Sequence, residues 1–171
     1  LYVSGLPFSP FYAYSLHEGS NLISYPFEGS SLVVDALPED AQNVIIGIIG
    51  ENTSVLNTQE YGWVGTLMYL SGTKGYWFIT SEAVEFTYNV PDSDDDLSRQ
   101  DRVVQEAPEP YTYFQSRNQA FYFIESVDIG GHPLTSEDLI IAYNDDVVVG
   151  SRYWYGDVID VPAMGLDDGD M

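Results

Sequence analysis

Short apolar runs recur along the chain at a spacing of roughly 8–12 residues, a pattern typical of a β-sandwich or β-barrel. They are rich in Val, Ile, Tyr and Phe, and Gly, Pro, Asn and Ser separate them. This pattern predicts an all-β protein with strands at Tyr12–Leu16, Asn21–Tyr25, Asn43–Ile49, Gly62–Tyr69, Gly75–Thr80, Glu85–Tyr88, Tyr111–Gln115, Ala120–Ile129, Leu139–Tyr143, Val147–Tyr155 and Val158–Asp160. Helix is expected only at Ser31–Leu37, with Ser30 or Ser31 as its N-cap and Pro38 ending it.

An acidic segment at residues 90–110 divides the pattern into two halves. It holds three prolines and no aromatic residue, and like charges at such density extend a chain. We therefore expect two small β-sandwich-like modules, at residues 1–90 and 111–171, joined by an acidic, proline-containing linker at residues 91–110. About sixty residues without a disulfide make a marginal core, so the C-terminal module either packs on the first or is truncated and continues beyond residue 171.

The charge of the chain is almost entirely of one sign, with 27 Asp and Glu against five Lys and Arg and a net charge of −22. Nucleic acid and anionic membrane surfaces are not expected as partners, because both require clustered basic residues. No apolar run approaches the roughly 18 residues of a membrane span, so membrane insertion is not expected either. Calcium-rich extracellular water, a high-salt cytoplasm or a basic partner would each explain the excess of acids. We favour the first and predict an extracellular or cell-surface protein.

Several stretches in both halves of the chain resemble one family of modules. In the first half these are Gly19–Pro26, Ile45–Gly50, Trp63–Gly65 and Gly72–Trp77. In the second half they are Asn118–Phe123, Ile140–Asp146, Val149–Trp154 and Asp160–Gly165. Together they resemble an uncharacterised β-rich repeat module, and the module that often follows it, in large secreted and surface proteins of marine and Bacteroidetes-like bacteria. The resemblance implies export and a binding or stalk role in a multidomain surface protein, and it implies no defined activity.

Clustered aspartates are the candidate metal ligands, because hard cations such as Ca²⁺ take several carboxylate oxygens. The densest cluster lies in the acidic segment and a second lies between two apolar runs: Asp92, Asp94, Asp95 and Asp96, then Asp145 and Asp146. The first cluster does not follow the EF-hand pattern, since Leu97 and Val103 occupy the positions of the turn glycine and the bidentate glutamate. A solvated charged loop for the first cluster and a tight turn for the second are the alternatives to calcium binding.

Aromatic side chains are the candidate ligand contacts, because the C–H faces of sugars stack on Trp and Tyr rings. The candidates lie in two stretches of the chain and are Tyr61, Trp63, Tyr76, Trp77, Tyr153, Trp154 and Tyr155. In a strand, Tyr153 and Tyr155 share one face and Trp154 takes the other, so at least one side is expected in the core. For each group, a purely structural role in packing is the alternative.

The sequence favours a binding protein over an enzyme. It contains no G-x-S-x-G, H-E-x-x-H or phosphate-binding glycine motif, and the lack of cysteine removes thiol catalysis. We predict a non-catalytic extracellular binding module, stabilised by Ca²⁺, whose partner is a polysaccharide or another surface-protein module. Two alternatives stay open: a structural subunit that self-associates into an extracellular fibre or layer, and a fragment of a glycan hydrolase that uses paired carboxylates.

Overall fold

The structure, a computed structural model, describes Ser9 and residues 11–91, 104–156 and 158–166. Of these residues, 47% lie in strands and 7% in helices, which confirms the all-β class. The N-terminal region, residues 11–91, contains β1 Tyr14–Leu16, β2 Gly19–Ser24, β3 Ser30–Leu32, α1 Val33–Ala36, α2 Glu39–Val44, β4 Ile45–Ile49, β5 Ser54–Thr58, β6 Gly62–Gly65, β7 Tyr69–Ser71, β8 Gly75–Thr80 and β9 Val84–Phe86. The C-terminal region, residues 104–156 and 158–166, contains β10 Gln119–Ile124, β11 Asp128–Ile129, β12 His132–Pro133, β13 Leu139–Asn144, β14 Val147–Tyr153 and β15 Ile159–Met164.

The N-terminal region is built on a five-stranded antiparallel sheet in the order β2-β8-β4-β5-β6. β8 has the bounds that the sequence pattern predicts. Its side chains alternate, with Tyr76 and Phe78 buried on one face and Trp77 44% exposed on the other. The pairs β1–β9 and β3–β7 form two smaller antiparallel sheets. The buried face of β8 therefore lies towards the core of this region.

Helix extends further than the sequence pattern predicts. α1 lies inside the predicted Ser31–Leu37 segment, but Ser31 belongs to β3, and Leu32 is the N-cap without a side-chain cap hydrogen bond. α1 ends at Ala36 with Leu37 as its C-cap, so it stops before Pro38 as predicted, but Pro38 is itself the N-cap of a second helix, α2. α2 is six residues long, with Ala41 as its buried residue. A helix so short shows no helical period in the sequence, which is why the pattern does not reveal it.

The C-terminal region consists of two-stranded antiparallel ladders that pair β10 with β15, β13 with β14, and β11 with β12. β14 and β15 approach closely, since a Cβ atom on Gly150 would lie 1.6 Å from the carbonyl oxygen of Pro162. The prediction of a strand at Tyr111–Gln115 is wrong, because this segment is irregular. Its backbone polar groups are used outside any ladder: the Tyr111 carbonyl accepts a hydrogen bond from the Ser151 hydroxyl at 2.9 Å.

Each region has its own hydrophobic cluster, and the two clusters differ in size. Among the described residues, the N-terminal cluster contains 15 buried side chains, five of them aromatic. The ring of Tyr88 lies at its centre, with centroids 5.1 Å from Phe86 and 5.3 Å from Tyr25 in edge-to-face geometry. The C-terminal cluster contains three buried side chains, those of Trp154, Ile159 and Val161.

The two regions pack against each other across the outer face of the five-stranded sheet. Phe121 and Phe123 of β10, together with Ile49, Leu56 and Ile79 of the sheet, line an apolar cavity of about 170 Å³. The C-terminal region thus covers part of a sheet face that would otherwise expose apolar side chains to water.

Candidate functional site

A groove of about 450 Å³ lies where the two regions meet, and sites of roughly 300–1,000 Å³ are typical for small ligands. The N-terminal region provides one wall through Tyr61, Trp63, Gly65 and Met68. The C-terminal region provides Glu125 and Val158 on the other side. The groove therefore brings together two of the aromatic side chains singled out in the sequence.

The turn between β5 and β6 presents Tyr61 to the groove. The backbone N–H of Tyr61 donates a hydrogen bond to the Thr58 hydroxyl at 3.0 Å, and that hydroxyl donates to the Gly62 carbonyl at 3.0 Å. Gly62 has a φ of 68°, in the left-handed region that glycine adopts without strain. The Tyr61 side chain is 54% exposed. Its backbone is therefore fixed while its ring remains accessible to a ligand.

The indole of Trp63 is held by α2. Its Nε1–H donates a hydrogen bond to Gln42 Oε1 at 3.1 Å, and the Gln42 amide nitrogen donates to the carbonyls of Val34 and Leu37 at 2.9 and 2.8 Å. The Trp63 ring also packs against the N-terminal cluster and is only partly buried. Because its polar atom is already bonded, the indole presents a positioned apolar surface to the groove.

Acidic side chains determine the charge of the groove. A hydrogen bond to Glu60 raises the pKa of Tyr61 above its ordinary value, and burial and the negative charge of Glu125 act in the same direction. No lysine or arginine is among the described residues that line the groove. The groove therefore combines aromatic rings with negative charge.

A buried ion pair of the C-terminal region, Arg152 with Asp160, is hydrogen-bonded to the N-terminal region beside the groove. Oδ2 of Asp160 accepts hydrogen bonds from the Ser54 N–H and hydroxyl at 2.9 and 3.0 Å and from the Thr66 hydroxyl at 2.8 Å. Nη2 of Arg152 lies 3.5 Å from the same oxygen, and both charged side chains are 0% exposed. Nη2 also donates to the Asn52 carbonyl at 2.8 Å. We call Ser54, Thr66, Arg152 and Asp160 the latch.

The latch is adjacent in sequence to residues of both groove walls. Thr66 follows Gly65, and Asp160 lies two residues after Val158. Gly65 has a φ of 136°, and a Cβ atom there would lie 2.3 Å from the Ser54 carbonyl oxygen. The wall at Gly65 is thus fixed both by a close backbone approach that requires glycine and by the hydrogen bond of its neighbour to Asp160. Docking of the two regions and the width of the groove therefore depend on the same contacts.

The ion pair of the latch carries an electrostatic cost. Burial raises the pKa of Asp160 above its ordinary value, while Arg152 and the hydrogen bonds from Thr66 and Ser54 oppose this rise. Within the described part of the chain, Asp160 Oδ1 and Arg152 Nη1 are buried without a hydrogen-bond partner. Charged groups that are incompletely bonded in the interior lower stability. The apolar packing between the two regions has to offset this cost.

The other predicted aromatic contacts lie outside the groove. Tyr76 and Trp154 are 2% and 6% exposed and belong to the two hydrophobic clusters, so their prediction as ligand contacts is corrected to core positions. Trp77 is exposed, but on the outer face of the five-stranded sheet. β14 ends at Tyr153, and beyond it Tyr155 packs against the C-terminal cluster. Because β14 ends at Tyr153, the predicted strand alternation of Tyr153, Trp154 and Tyr155 does not extend beyond Tyr153.

Only two of the predicted metal-binding aspartates lie among the described residues. Those outside the described residues are Asp92, Asp94, Asp95 and Asp96. Asp145 and Asp146 are exposed and form the two-residue turn between β13 and β14, with Asp145 at a φ of 51°. Over the described ranges, no group of three or more His, Cys, Asp or Glu side chains is arranged to hold a metal ion.

Glu125, Gln42 and the latch are not predicted as functional residues by the sequence pattern. Two residues of the latch carried a signal in the sequence: Arg152 is one of only five Lys and Arg residues, and Asp160 interrupts an apolar run. Glu125 and Gln42 carried no such signal, because Glu125 reaches the groove and Gln42 reaches Trp63 only through the tertiary structure.

No protein family, curated protein or solved structure matches this chain. Within the part of the chain that the structure describes, no helix has the length and apolar character needed to cross a membrane. The fold and the site define an all-β protein with an acidic, aromatic groove between two packed regions.

Proposed function

We propose that this protein is a non-catalytic carbohydrate-binding module of an extracellular or surface protein, and that the groove is its binding site. The observation that supports this proposal is the presence of Tyr61 and Trp63 in one groove, opposite Glu125. The two rings provide apolar faces for the C–H surface of a sugar, and the carboxylate accepts hydrogen bonds from its hydroxyls.

The hydrogen bonds that position Tyr61 and Trp63 lower the entropic cost of binding. Trp63 is held by Gln42, and the backbone of Tyr61 is held by Thr58. Rings positioned before the ligand arrives lose little freedom when it binds, so more of the contact energy appears as affinity.

The test is calorimetric titration of the protein with a panel of neutral oligosaccharides. We expect binding to the wild-type protein and a loss of at least about tenfold in affinity for Tyr61→Ala, because truncating a central aromatic contact costs about 2 kcal/mol or more. The matched control is Tyr143→Ala, since Tyr143 is 55% exposed on β13 against 54% for Tyr61. Equal affinities of the two variants, or no binding by the wild-type protein, would contradict the proposal.

We also propose that Ca²⁺ stabilises the protein. The net charge of −22 supports this, because a bound divalent cation relieves repulsion between carboxylates. The measurement is the melting temperature in calcium chloride against sodium chloride of equal ionic strength. A rise specific to calcium that is lost in the double variant Asp94→Asn/Asp96→Asn is expected. Equal melting temperatures in the two salts would reduce the effect to screening.

Self-association is a second candidate function, favoured by an exposed apolar row on the five-stranded sheet. Leu22 pairs with Trp77 across β2 and β8, and the two side chains are 59% and 44% exposed. β2 is also an edge strand of this sheet, and edge strands present unpaired backbone groups to other chains. Light scattering across a concentration series tests this candidate, with Leu22→Lys expected to abolish any assembly.

A further inference from the structure

If the groove binds a carbohydrate, as proposed above, its charge decides which carbohydrate it accepts. Tyr61 and Glu125 line the same groove, Glu60 precedes Tyr61 in the sequence, and both exposed glutamates raise the pKa of the Tyr61 hydroxyl. A ligand that stacks on Tyr61 therefore lies near two carboxylates.

The described basic residues of the chain do not compensate this charge at the groove. Arg152 is fully buried in the latch. Lys74, in the turn before β8, and Arg117, in the segment before β10, are not among the residues that line the groove. Arg99 and Arg102 lie outside the described residues. An anionic sugar in the groove thus meets no positive charge from its lining residues.

Anionic, neutral and amine-bearing sugars therefore differ in their electrostatic interaction with the groove. A uronate or sulfate group is repelled by the two carboxylates and, within about 10 Å at 0.1 M salt, by the surrounding negative surface. A neutral sugar gains only stacking and ordinary hydrogen bonds. An ammonium group gains a charge-assisted hydrogen bond to a carboxylate and attraction to the negative faces of the aromatic rings.

We propose that the groove is selective for amine-bearing sugars, with Glu125 pairing with the ammonium group while Tyr61 and Trp63 stack on the sugar, and that it rejects uronic acids and sulfated sugars. The rings supply the affinity that all sugars share, and Glu125 supplies the preference for the amine.

Three β-1,4-linked tetrasaccharides test this selectivity because they differ in one substituent: tetramers of glucosamine, glucose and glucuronic acid. In a mildly acidic buffer that keeps the amines protonated, we expect the glucosamine tetramer to bind about tenfold more tightly than the glucose tetramer. No binding of the glucuronate tetramer is expected. Glucosamine and glucose tetramers of equal affinity, or a glucuronate tetramer that binds as well as glucose, would overturn the selectivity while leaving the carbohydrate site intact.

The variant Glu125→Gln separates a specific pairing from general attraction to an acidic protein. We expect this variant to lose the preference, so that the glucosamine tetramer binds it no more tightly than the glucose tetramer does. The control Glu85→Gln, at an exposed position on β9, should keep the full preference. If Glu125→Gln keeps the preference as well, the selectivity comes from net charge and the proposal is wrong. If the wild-type protein binds none of the three tetramers, the proposed function fails and the selectivity fails with it.

Discussion

The two regions of this molecule are held together by different kinds of contact. The N-terminal region buries a large cluster of aliphatic and aromatic side chains, in which the ring of Tyr88 contacts those of Tyr25, Phe78 and Phe86. The C-terminal region buries a much smaller cluster around Trp154, and its contact with the first region combines the apolar side chains of Phe121 and Phe123 with the buried polar groups of the latch.

The two kinds of contact have different effects: one stabilises the N-terminal region, and the other specifies how the two regions dock. Apolar burial is strong and non-directional, so it stabilises the N-terminal region without fixing how another surface docks on it. Hydrogen bonds and ion pairs are weak in net terms and directional, so the latch specifies one docking geometry. The groove lies between the two regions, and its shape therefore depends on the more fragile of the two kinds of contact.

The largest effect is expected from separating the regions. We expect a fragment of residues 9–91 to unfold cooperatively in urea, because it retains the large cluster. A fragment of residues 104–166 should show no cooperative transition, because a segment of about sixty residues with a small core is marginal alone. Circular dichroism during urea titration is the measurement. A cooperative transition in the second fragment would remove the contrast between the two regions.

Substitution of the latch carboxylate should come next in size. Asp160→Ala removes the acceptor for Ser54 and Thr66 and leaves the Arg152 guanidinium buried without its partner. We expect the free energy of unfolding to fall by about 3–5 kcal/mol at neutral pH, with protease cleavage appearing first in the C-terminal region. Glu82→Ala, at an exposed loop position, is the control and should change stability by less than about 0.5 kcal/mol. A loss that small for Asp160→Ala would show that apolar packing alone docks the regions.

The packing of β14 on β15 offers a smaller perturbation that acts within the C-terminal region. In Gly150→Ala, the new Cβ meets the Pro162 carbonyl oxygen at 1.6 Å, so the two strands have to separate. We expect a loss of about 1–3 kcal/mol in chemical denaturation. Gly75→Ala in β8 is the matched control, because its Cβ would lie 3.7 Å from Leu22, an ordinary contact. Similar losses in both variants would mean that strand propensity, and not the close approach, causes the effect.

The smallest effect concerns pH. Because burial raises the pKa of Asp160 above its ordinary 3.8, the folded protein holds this proton more tightly than the unfolded chain does. The part of the stability that comes from this tighter proton binding is fully present below about pH 3.8 and is lost as pH rises through the folded-state pKa, while the hydrogen bonds that Asp160 accepts from Ser54 and Thr66 remain. The melting temperature of the wild-type protein minus that of Asp160→Asn should therefore decrease as pH rises. An increase would mean that Arg152 and the hydrogen bonds outweigh burial.

Particular strands show how far sequence reasoning reaches. β8 was predictable because its alternating side chains face a core on one side and the outer surface on the other. β5 was not, since Ser54 and Asn57 make it look polar. Ser54 is buried because its N–H and hydroxyl both bond to Asp160, 106 residues away. Pro162 in β15 is a residue that a sequence pattern counts against a strand. The strand tolerates this proline because, among the described strands, β15 pairs only with β10 and is therefore an edge strand.

The residues of the candidate site also differ in whether the sequence reveals them. Tyr61 and Trp63 were identified from their side-chain chemistry alone, since exposed rings in a β-rich chain suggest ligand contacts. Glu125 and Gln42 were not, because neither stands out in its local sequence. Their roles depend on which wall of the groove faces Tyr61 and which helix lies beside Trp63.

The sequence by itself determined the all-β class, the negative charge and the aromatic character of this protein. These properties follow from composition and from patterns that repeat over a few residues, and each is present before the chain folds. Only the tertiary structure decided which rings are core and which line the groove, that Asp160 bonds to Ser54 and Thr66, and where the C-terminal region docks. Those outcomes depend on contacts between residues far apart in the chain, and no local pattern encodes which distant partner will satisfy a buried charge.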